Sequence, residues 1–383
     1  MKLIYNIYFL LALIFICGNS ATAQSFDFSK PDAADTSLTG IKHYKLTYKS
    51  APWSINVADI DVNKFRMLAV KGDDLLHDSR EKLSSMVERF NMRGLNVIAA
   101  INADFFAPDG DIKNNQISKG EFVKGITTKR SQFALNYSGK PVISVFNFSG
   151  FTKTKQDSII KIDAINYKCG YDSVVLLNRY WNYEIELSDS ILMFVLKPID
   201  SIKQNETAKA LVTSMTSDIK EVTGNSYILA AKGNEAARLK RLLNESDTIS
   251  IYTGFDQSNF NIEELAGGFT QIVKDGIDIS ESQSLVEGTG EKFRDTRHPR
   301  SAIGYNKDRT KIFLVTVDGR QKISAGMSLK ELAEFMIHIG CYDALNFDGG
   351  GSTTMIVNNK IVNSPSDLLG ERSIGNALLL ITK

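Results

Sequence analysis

The sequence predicts an α+β fold with a mixed, mostly antiparallel, twisted β-sheet core and flanking helices. Short stretches in which apolar and polar residues alternate recur along most of the chain, and a period of two is typical of half-buried strands. Residues 95–101 are almost continuously apolar, as in a strand that is buried on both faces. Helical spacing is confined to a few segments, so we expect strands to outnumber helices.

The N-terminus predicts export from the cytoplasm. Lys2 precedes an apolar run over 8–17, and residues 21–23 supply the small side chains that a signal-peptide cleavage site requires. We therefore predict a signal peptide over 1–23, followed by a flexible, polar leader over 24–40. The expected destination is the periplasm or the extracellular space.

The three cysteines bear on anchoring and on disulfide bonding. Cys17 leaves a lipoprotein as an alternative, but bulky Phe15 and Ile16 stand where small residues are expected. Beyond the signal peptide only Cys169 and Cys341 remain. A disulfide between them stays open in an oxidising compartment, although buried, unpaired thiols are the favoured interpretation.

Charge and hydropathy give no support to several classes of partner. The 45 Lys and Arg residues balance the 44 Asp and Glu residues without a basic run, so nothing predicts binding to nucleic acid or to an anionic membrane. After the signal peptide, no apolar stretch is long enough to span a bilayer. The oligomeric state is left open.

Strands and one helix make up the N-terminal part of the main domain, 41–95. Alternation predicts successive strands over 43–48, 55–62 and 65–70. A serine-capped helix follows, and Gly94 ends it.

A helix, a glycine and a strand that ends in Asn-x-Asp occur twice. The first unit delivers Asn102 and Asp104 at the end of the buried strand. In the second unit a capping box predicts a helix over 327–339, a glycine stops it, and a short strand delivers Asn346 and Asp348. The repeat suggests an internal duplication that places two Asn/Asp pairs at the ends of neighbouring strands, although such units also recur by chance.

The middle of the chain is rich in strands and poor in motifs. Strands are expected throughout 133–196, a helix over 235–243, and further strands over 247–253 and 266–273.

The most informative stretch is 346–354, which reads Asn-Phe-Asp-Gly-Gly-Gly-Ser-Thr-Thr. Three consecutive glycines allow positive φ and close approach of a ligand, and such a turn can aim several N–H groups into one anion-binding concavity. Asp348 stands at its rim, and Ser352 adds a hydroxyl. These groups suit a sugar or phosphate ligand; the alternative is a tight hairpin turn capped by the Asp.

Four other segments could carry chemistry. Residues 297–304 place two arginines before a strand, and planar guanidinium groups are preferred clamps for phosphate and carboxylate. Residues 318–320 read Asp-Gly-Arg at a strand end, 363–372 form a polar loop, and 102–106 include two phenylalanines that could stack on a sugar. A solvated loop, a hairpin turn with a local ion pair and core packing are the alternatives.

Together these segments supply the groups that glycoside hydrolysis needs, a general acid and a second carboxylate roughly 5–9.5 Å apart. The carboxylates are Asp104, Asp318, Asp348, Asp367 and Glu371, and the cations for an anionic leaving group are Arg300, Arg320 and Arg372. A phosphate leaving group needs little protonation, so electrostatic clamping could dominate.

Other catalytic signatures are missing from the sequence. It has no P-loop, no His-Glu-x-x-His and no Gly-x-Ser-x-Gly elbow. Of four histidines only His298 lies in the segments above, which disfavours a His-rich zinc site. No cofactor is assigned, and Ca²⁺ or Mg²⁺ held by oxygen ligands stays open.

These motifs, in this order, resemble the phosphodiester glycosidase family with its exported bacterial members. The matching segments are 100–102 with 105–106, 267–268, 297–304, 318–320, 324–332, 346–352, and 363–372 followed by 376–377. The resemblance implies one glycosidase-like domain over 41–383, with a catalytic body over 96–383. Ala103 and Asp104 depart from the pattern, because many members have two glycines there.

The resemblance implies hydrolysis of a sugar-1-phosphodiester, similar to a GlcNAc-1-phosphodiester, into free sugar and a phosphomonoester. Asp348 and Glu371 become the acid and nucleophile candidates, with Asp318 and Asp104 as further catalytic candidates. The implied substrate-binding residues are Asn102, Gly268, Arg300, Arg320, Asn346, Gly349, Gly350, Gly351, Ser352, Asp367 and Arg372. Among them, Arg300, Arg320 and the three glycine amides would clamp the phosphate.

Two other functions remain alternatives at this point. One is a non-catalytic protein that binds envelope glycans on the same fold, and the other is a metal-dependent phosphodiesterase that cuts the P–O bond. The sugar, its anomeric configuration, the aglycone and the stereochemical course are left open.

Overall fold

Strands make up most of the regular structure. A computed structural model describes residues 26–37, 41–182, 191–217, 222–256 and 261–383, and the signal peptide predicted over 1–23 lies outside them. The described residues form 28 strands and five α-helices. The predicted α+β class is therefore confirmed in part, because strands dominate the fold.

The strands are β1 Ala33–Ser37, β2 Lys42–Tyr48, β3 Trp53–Asp61, β4 Phe65–Lys71, β5 Glu81–Lys82, β6 Val97–Asn102, β7 Gln116–Ser118, β8 Glu121–Lys124, β9 Gln132–Asn136, β10 Pro141–Ser144, β11 Phe148–Lys153, β12 Ile159–Ile162, β13 Ala164–Ile165, β14 Val174–Leu177, β15 Ile191–Pro198, β16 Glu206–Thr216, β17 Tyr227–Lys232, β18 Thr248–Phe255, β19 Ile262–Gly267, β20 Gln271–Lys274, β21 Ile277–Asp278, β22 Arg300–Tyr305, β23 Lys311–Val317, β24 Asp343–Asn346, β25 Met355–Val357, β26 Lys360–Ile361, β27 Ser373–Ile374 and β28 Asn376–Thr382. The helices are α1 Leu83–Met92, α2 Gly233–Leu242, α3 Ser280–Glu287, α4 Glu291–Asp295 and α5 Leu329–His338.

These strands form four sheets and a two-stranded ribbon of β5 and β27. Sheet 1 has the order β1-β2-β3-β23-β22-β24-β20-β21 and sheet 2 the order β10-β9-β19-β7-β8. Sheet 3 runs β12-β11-β18-β16-β15-β17-β14-β13 and sheet 4 runs β26-β25-β6-β28-β4. Among the described strands only β13 and β14 pair in parallel, which confirms the mostly antiparallel core.

Sheets 1 and 4 pack face to face, with one helix on each outer side. In β22, Ala302 packs with α5 while Ile303 belongs to the core between the two sheets. In β28, Leu378 belongs to that same core while Leu379 packs with α1. Because successive side chains of a strand point to opposite faces, each strand contributes to two cores, and the layers are α5, sheet 1, sheet 4 and α1.

Sheets 2 and 3 share another apolar core, which α2 completes. Phe194 of β15, Leu265 of β19 and Leu239 of α2 all belong to it. Ala266, the neighbour of Leu265 in β19, faces the core between sheets 1 and 4 instead. Sheet 2 therefore joins the two halves of the molecule.

The two outer helices begin at different kinds of cap. In α5 the predicted capping box is confirmed: Ser328 Oγ accepts the Glu331 N–H at 3.2 Å, and the Glu331 carboxylate accepts the Ser328 N–H at 2.9 Å. In α1 the predicted cap at Ser84 or Ser85 is wrong, because the helix begins after Lys82 and both serines lie inside it. Glu371 acts there instead and accepts the N–H of Ser84 at 2.8 Å and its hydroxyl at 2.5 Å. A carboxylate in this position complements the helix N-terminus.

Part of the expected flexible leader is built into the fold. Phe28 is buried and stacks on Trp53, with ring centroids 5.4 Å apart, and its carbonyl accepts the Tyr48 hydroxyl at 2.9 Å. Further along, β1 pairs with β2 over its whole length. The difference arises because Phe26 and Phe28 are aromatic anchors within an otherwise polar segment.

The two repeated helix–glycine–strand units are present, and the strands predicted to be neighbours lie in two different sheets. The strand of the first unit, β6, belongs to sheet 4, and that of the second, β24, belongs to sheet 1. Their ends nevertheless meet, since the Asp348 N–H donates to the Ala103 carbonyl at 2.8 Å. A hydrophobic pattern specifies which strands are buried but not which sheet they join.

Two smaller expectations concern thiols and membrane spans. Cys341 is buried, Cys169 is half-buried, and both are free thiols. Within the part of the chain that the structure describes, no helix has the length and apolar character needed to cross a membrane.

Candidate active site

The ends of sheets 1 and 4 enclose a cavity of about 260 Å³. It lies where β22 begins, where β23 and β24 end, and just before β27. The lining residues are Phe293, His298, Pro299, Arg300, Arg320, Asp348, Gly349, Gly350, Gly351 and Arg372. Seven of these ten were predicted as site residues from the sequence, and the structure brings those seven together.

The glycine loop is shaped by close backbone contacts that exclude side chains. A Cβ on Gly349 would lie 2.5 Å from the Pro299 carbonyl oxygen, which also accepts the Gly350 N–H at 2.9 Å. Gly350 has φ +62°, a left-handed conformation that glycine adopts without strain. A Cβ on Gly351 would overlap Arg372 and Asp367. Glycine is therefore required sterically at Gly349 and favoured by the backbone conformation at Gly350, whereas at Gly351 a Cβ would displace two side chains.

Asp348 is held in place through its backbone by the end of β6. Asn102 Nδ2 donates to the Asp348 carbonyl at 2.6 Å, while Asn102 Oδ1 accepts the Ser301 hydroxyl at 2.6 Å and the Thr354 N–H at 3.1 Å. Asn102 thus ties three segments together and positions the loop from behind. It lies behind the cavity lining, and the bonds of its side chain all go to other parts of the protein.

The carboxyl group of Asp348 has a perturbed proton affinity. Burial raises its pKa to about 6, while the Ser352 hydroxyl, the Gly349 N–H at 3.0 Å and the charge of Arg372 oppose the rise. Desolvation penalises the charged form of a carboxyl group, which explains the direction. A carboxyl that titrates near neutral pH inside a cavity is typical of a catalytic group.

Arg300 is a buried cation at the base of the cavity. Its Nε donates to the Met327 carbonyl at 2.8 Å, and Nη2 donates to the carbonyls of Phe293 at 2.7 Å and Thr296 at 3.1 Å. Burial lowers its pKa to about 9, so the charge persists at neutral pH. Its Nη1 has no hydrogen-bond partner among the described residues, which leaves one donor for a ligand.

Two exposed arginines flank the glycine loop at the mouth of the cavity. The Nη2 atom of Arg320 lies 3.1 Å from where a Cβ of Gly350 would be. Arg372 forms a two-bond ion pair with Asp367, at 2.8 and 3.0 Å, beside Gly351. Asp367 therefore orients Arg372, and two guanidinium groups converge on the glycine amides.

His298 and Phe293 line the cavity although the sequence analysis did not select them. Burial, Arg300 and Arg320 lower the pKa of His298, which favours the neutral imidazole. His298 lies in the Arg-His-Pro-Arg segment, so a signal for it existed. Phe293 of α4 packs near Phe105 and Phe269, with ring centroids 5.9 and 6.0 Å away, and no sequence motif pointed to it.

Several buried polar atoms near this loop lack partners in the described residues. They are Arg300 Nη1, Asn346 Oδ1, and the hydroxyls of Thr353, Thr354 and Ser366. Buried polar atoms are seldom left unpaired in native proteins, so such a concentration indicates that water or a ligand completes the site.

Comparison with known proteins supports a resemblance to one family. The sequence model of the phosphodiester glycosidase family matches residues 206–381, which include every residue of the cavity lining. Over these residues the chain is similar to the phosphodiester glycosidase family. N-acetylglucosamine-1-phosphodiester alpha-N-acetylglucosaminidase of Mus musculus is 32% identical over 111 residues, which is 27% of this chain and 21% of the mouse protein. The chain thus aligns with about a fifth of that relative.

Solved structures at low identity share the fold. A hypothetical protein from Synechocystis superposes with a TM-score of 0.72 at 19% identity, over 93% of this chain and 64% of that one. A putative exported protein from Burkholderia pseudomallei superposes with a TM-score of 0.64 at 21% identity, over 86% of this chain and 74% of that one.

Asp104 and Gly268 lie behind the cavity and not in its lining. The Asp104 carboxylate accepts the N–H of Asn114 at 2.8 Å and its side-chain amide at 2.6 Å, and burial raises its pKa to about 7. The Gly268 carbonyl accepts a second bond from that amide at 3.0 Å, and a Cβ there would meet Leu345. Asp104 therefore occupies a polar site behind the loop.

The other two carboxylates, Asp318 and Glu371, are occupied by bonds within the fold. Asp318 accepts the Ser54 hydroxyl at 2.9 Å and the Ser364 N–H at 2.8 Å, and burial raises its pKa. Both oxygens of Glu371 are used to cap α1, as described above. Of the catalytic candidates, Asp348 is the one whose side chain lines the cavity.

No metal-ligand cluster emerges in the described ranges: they contain no group of three or more His, Cys, Asp or Glu side chains placed to hold an ion. Asn346, a further predicted binding residue, donates through Nδ2 to the Phe269 carbonyl at 2.9 Å and so ties the end of β24 to the segment before β20.

Proposed function

We propose that this protein is an exported glycoside hydrolase that cleaves a GlcNAc-1-phosphodiester-like substrate to free sugar and a phosphomonoester. The observation that carries the proposal is a carboxyl of raised pKa in a cavity also lined by three arginines and a glycine loop. The name of the mouse relative supports the substrate class. Export through cleavage after Ala23 is supported by the description of the Burkholderia neighbour as a putative exported protein.

The phosphate would sit among the glycine loop, Arg320 and Arg372, with Arg300 Nη1 available from below. Guanidinium groups and backbone amides donate to phosphate oxygens in fixed directions and are organised before the substrate arrives. As the C1–oxygen bond breaks, the electron pair passes to the phosphate oxygen, and these donors stabilise the added negative charge. The leaving group therefore needs no proton from the enzyme.

The Asp348 carboxylate would attack C1 as the nucleophile, forming a glycosyl ester while the phosphomonoester leaves. Water then attacks C1, neutral His298 accepts its proton, and Asp348 is released as a carboxylate. Carboxylate nucleophiles are established in glycoside hydrolysis, and an imidazole with lowered pKa is a suitable base. Because C1 is attacked twice, first by Asp348 and then by water, this mechanism predicts that the sugar keeps its anomeric configuration.

Hydrolysis in ¹⁸O-labelled water tests the proposal and separates the alternatives. With a GlcNAc-1-phosphodiester, label in the sugar and none in the phosphomonoester is expected. Label in the phosphate would establish P–O cleavage and contradict the proposal. Binding of the compound without turnover would identify a glycan-binding protein instead.

The pH profile should show which form of Asp348 is active. A nucleophile must be ionised, so kcat/KM is expected to rise with pH through about 6, the raised pKa of this carboxyl, and then to level off. His298, whose pKa is lowered, loses its proton as pH rises and therefore adds no loss above that range. Initial rates from pH 4 to 9 measure the profile; a fall above about 6 would make Asp348 a general acid.

A further inference from the structure

Two leucines stand completely in solvent beside the cavity. Leu368 is 105% exposed and Leu369 is 96% exposed, the two highest values among the exposed large hydrophobic residues of the described chain. Single exposed apolar residues are ordinary, but adjacent ones at the mouth of a ligand site mark an interaction surface.

The loop that carries these leucines is closed at its base. Asp367 and Arg372 form the two-bond ion pair beside Gly351, and the Gly370 N–H donates to the Asp367 carbonyl at 2.9 Å. The leucines thus lie at the tip of a pinned six-residue turn next to the glycine loop. Their exposure is a property of this turn and not of a loose end.

A second apolar tip is tied to the first. Gln321 and Ser324 exchange two backbone hydrogen bonds of 3.1 Å, which leaves Lys322 and Ile323 at the tip of a tight turn, with Ile323 63% exposed. Gln321 Nε2 donates to the Ser364 carbonyl at 2.8 Å and so links the two loops. We name Ile323, Leu368 and Leu369 the apolar rim.

We propose that the aglycone of the substrate is a lipid anchored in a bilayer, and that the apolar rim inserts into that bilayer while the cavity holds the sugar phosphate. This inference rests on the proposed function. A cavity of about 260 Å³ is at the small end of ligand sites, so a second substituent on the phosphate has to extend past the rim. Leucine and isoleucine match the hydrocarbon of a lipid.

Charge at the rim agrees with this orientation. Lys322 stands on the Ile323 loop, outside the cavity lining, and has no acidic partner within 4 Å among the described residues. Cations next to apolar side chains are typical of segments that rest at a membrane interface, where they meet lipid phosphates.

The test compares two substrates that differ only in the aglycone: GlcNAc-1-phosphate esterified to methanol, free in solution, and to a long-chain alcohol in phosphatidylcholine vesicles with one-fifth phosphatidylglycerol. The double variant Leu368→Ser/Leu369→Ser should lose about 30-fold in kcat/KM on the vesicle substrate, as expected when two leucines lose burial. On the methyl ester it should stay within about twofold of wild type. Ile159→Ser, on the exposed edge strand β12 of sheet 3, is the matched control and should change neither rate.

Vesicle co-sedimentation gives a readout that is independent of turnover. Vesicle binding that depends on the leucines supports the inference. If neither ester is hydrolysed but this binding is seen, only the proposed function fails. Equal rates for the double variant and wild type on both esters overturn the inference and leave the function intact. A change in oligomeric state without a vesicle effect assigns the rim to contact between copies and also overturns it.

Discussion

Asp348→Asn is expected to lower kcat on a GlcNAc-1-phosphodiester by about 10³-fold or more, because an amide cannot form the glycosyl ester. The substitution keeps the size of the side chain, and its oxygen can still accept the Gly349 N–H that now bonds Asp348 at 3.0 Å. KM should change little, since the arginines and the glycine amides that bind phosphate are retained.

Thermal unfolding should show whether Asp348→Asn loses activity because the reaction fails or because the protein is less stable. The pKa of Asp348 is raised to about 6 in the fold, above the roughly 3.9 of an unfolded Asp. The carboxyl therefore stabilises the fold fully below about pH 4 and loses that contribution as pH rises through 6. At pH 7.5 the Asn variant should unfold at the same or a higher temperature than wild type.

Asp308→Asn is the matched control. Asp308 is exposed in the turn between β22 and β23, at the end of those strands opposite Arg300, so its variant should retain full activity. Retention of more than a tenth of wild-type kcat by Asp348→Asn would exclude Asp348 as the nucleophile. His298 would then be the next candidate, because it is the other lining residue whose charge is not fixed.

Individual helices and strands can be predicted from local sequence patterns, but the assignment of strands to sheets cannot. The capping box of α5 and the apolar strand β6 were predicted within a few residues, because caps and burial depend on neighbours in sequence. The assignment of β6 to sheet 4 and β24 to sheet 1 depends on pairings between distant segments. No single-sequence periodicity carries that information.

The site shows the same division. The glycine loop and its arginines could be found because their chemistry is local and concentrated. Glu371 could not be placed, since its bond to Ser84 joins residues far apart in the chain and converts a candidate catalyst into a helix cap. Phe293 reaches the cavity only because α4 packs there, and a lone phenylalanine carries no signal of that.

Gly351→Ala is expected to reduce kcat/KM by about 10²-fold with little loss of stability, the size of effect that follows a displacement of about 1 Å in a catalytic group. An added Cβ would lie 2.5 Å from Arg372 Cζ and would overlap atoms of both partners in the Asp367–Arg372 pair. Both side chains are partly exposed and can move away from the loop. Phosphate would then lose one guanidinium contact.

Gly290→Ala is the control for the loss of a glycine as such. A Cβ at Gly290 meets nothing within 4 Å, and its φ of −67° suits alanine, so activity and stability should be unchanged. Unaltered kinetics of Gly351→Ala would show that the pair adapts without consequence for the phosphate.

A double-mutant cycle identifies the cause of the Gly351→Ala effect. If the added methyl group acts by displacing Arg372, then in an Arg372→Ala background there is no guanidinium left to displace. The alanine at 351 should then cost much less than in wild type, and the two losses in kcat/KM should be far from additive. Additive losses would mean that the methyl group acts instead on the glycine amides, and the phosphate contact would have to be assigned to the backbone. The cycle compares the same substitution in two backgrounds. It therefore shows whether the methyl group acts through the Arg372 side chain or through the backbone amides, and it needs no structure with a bound ligand.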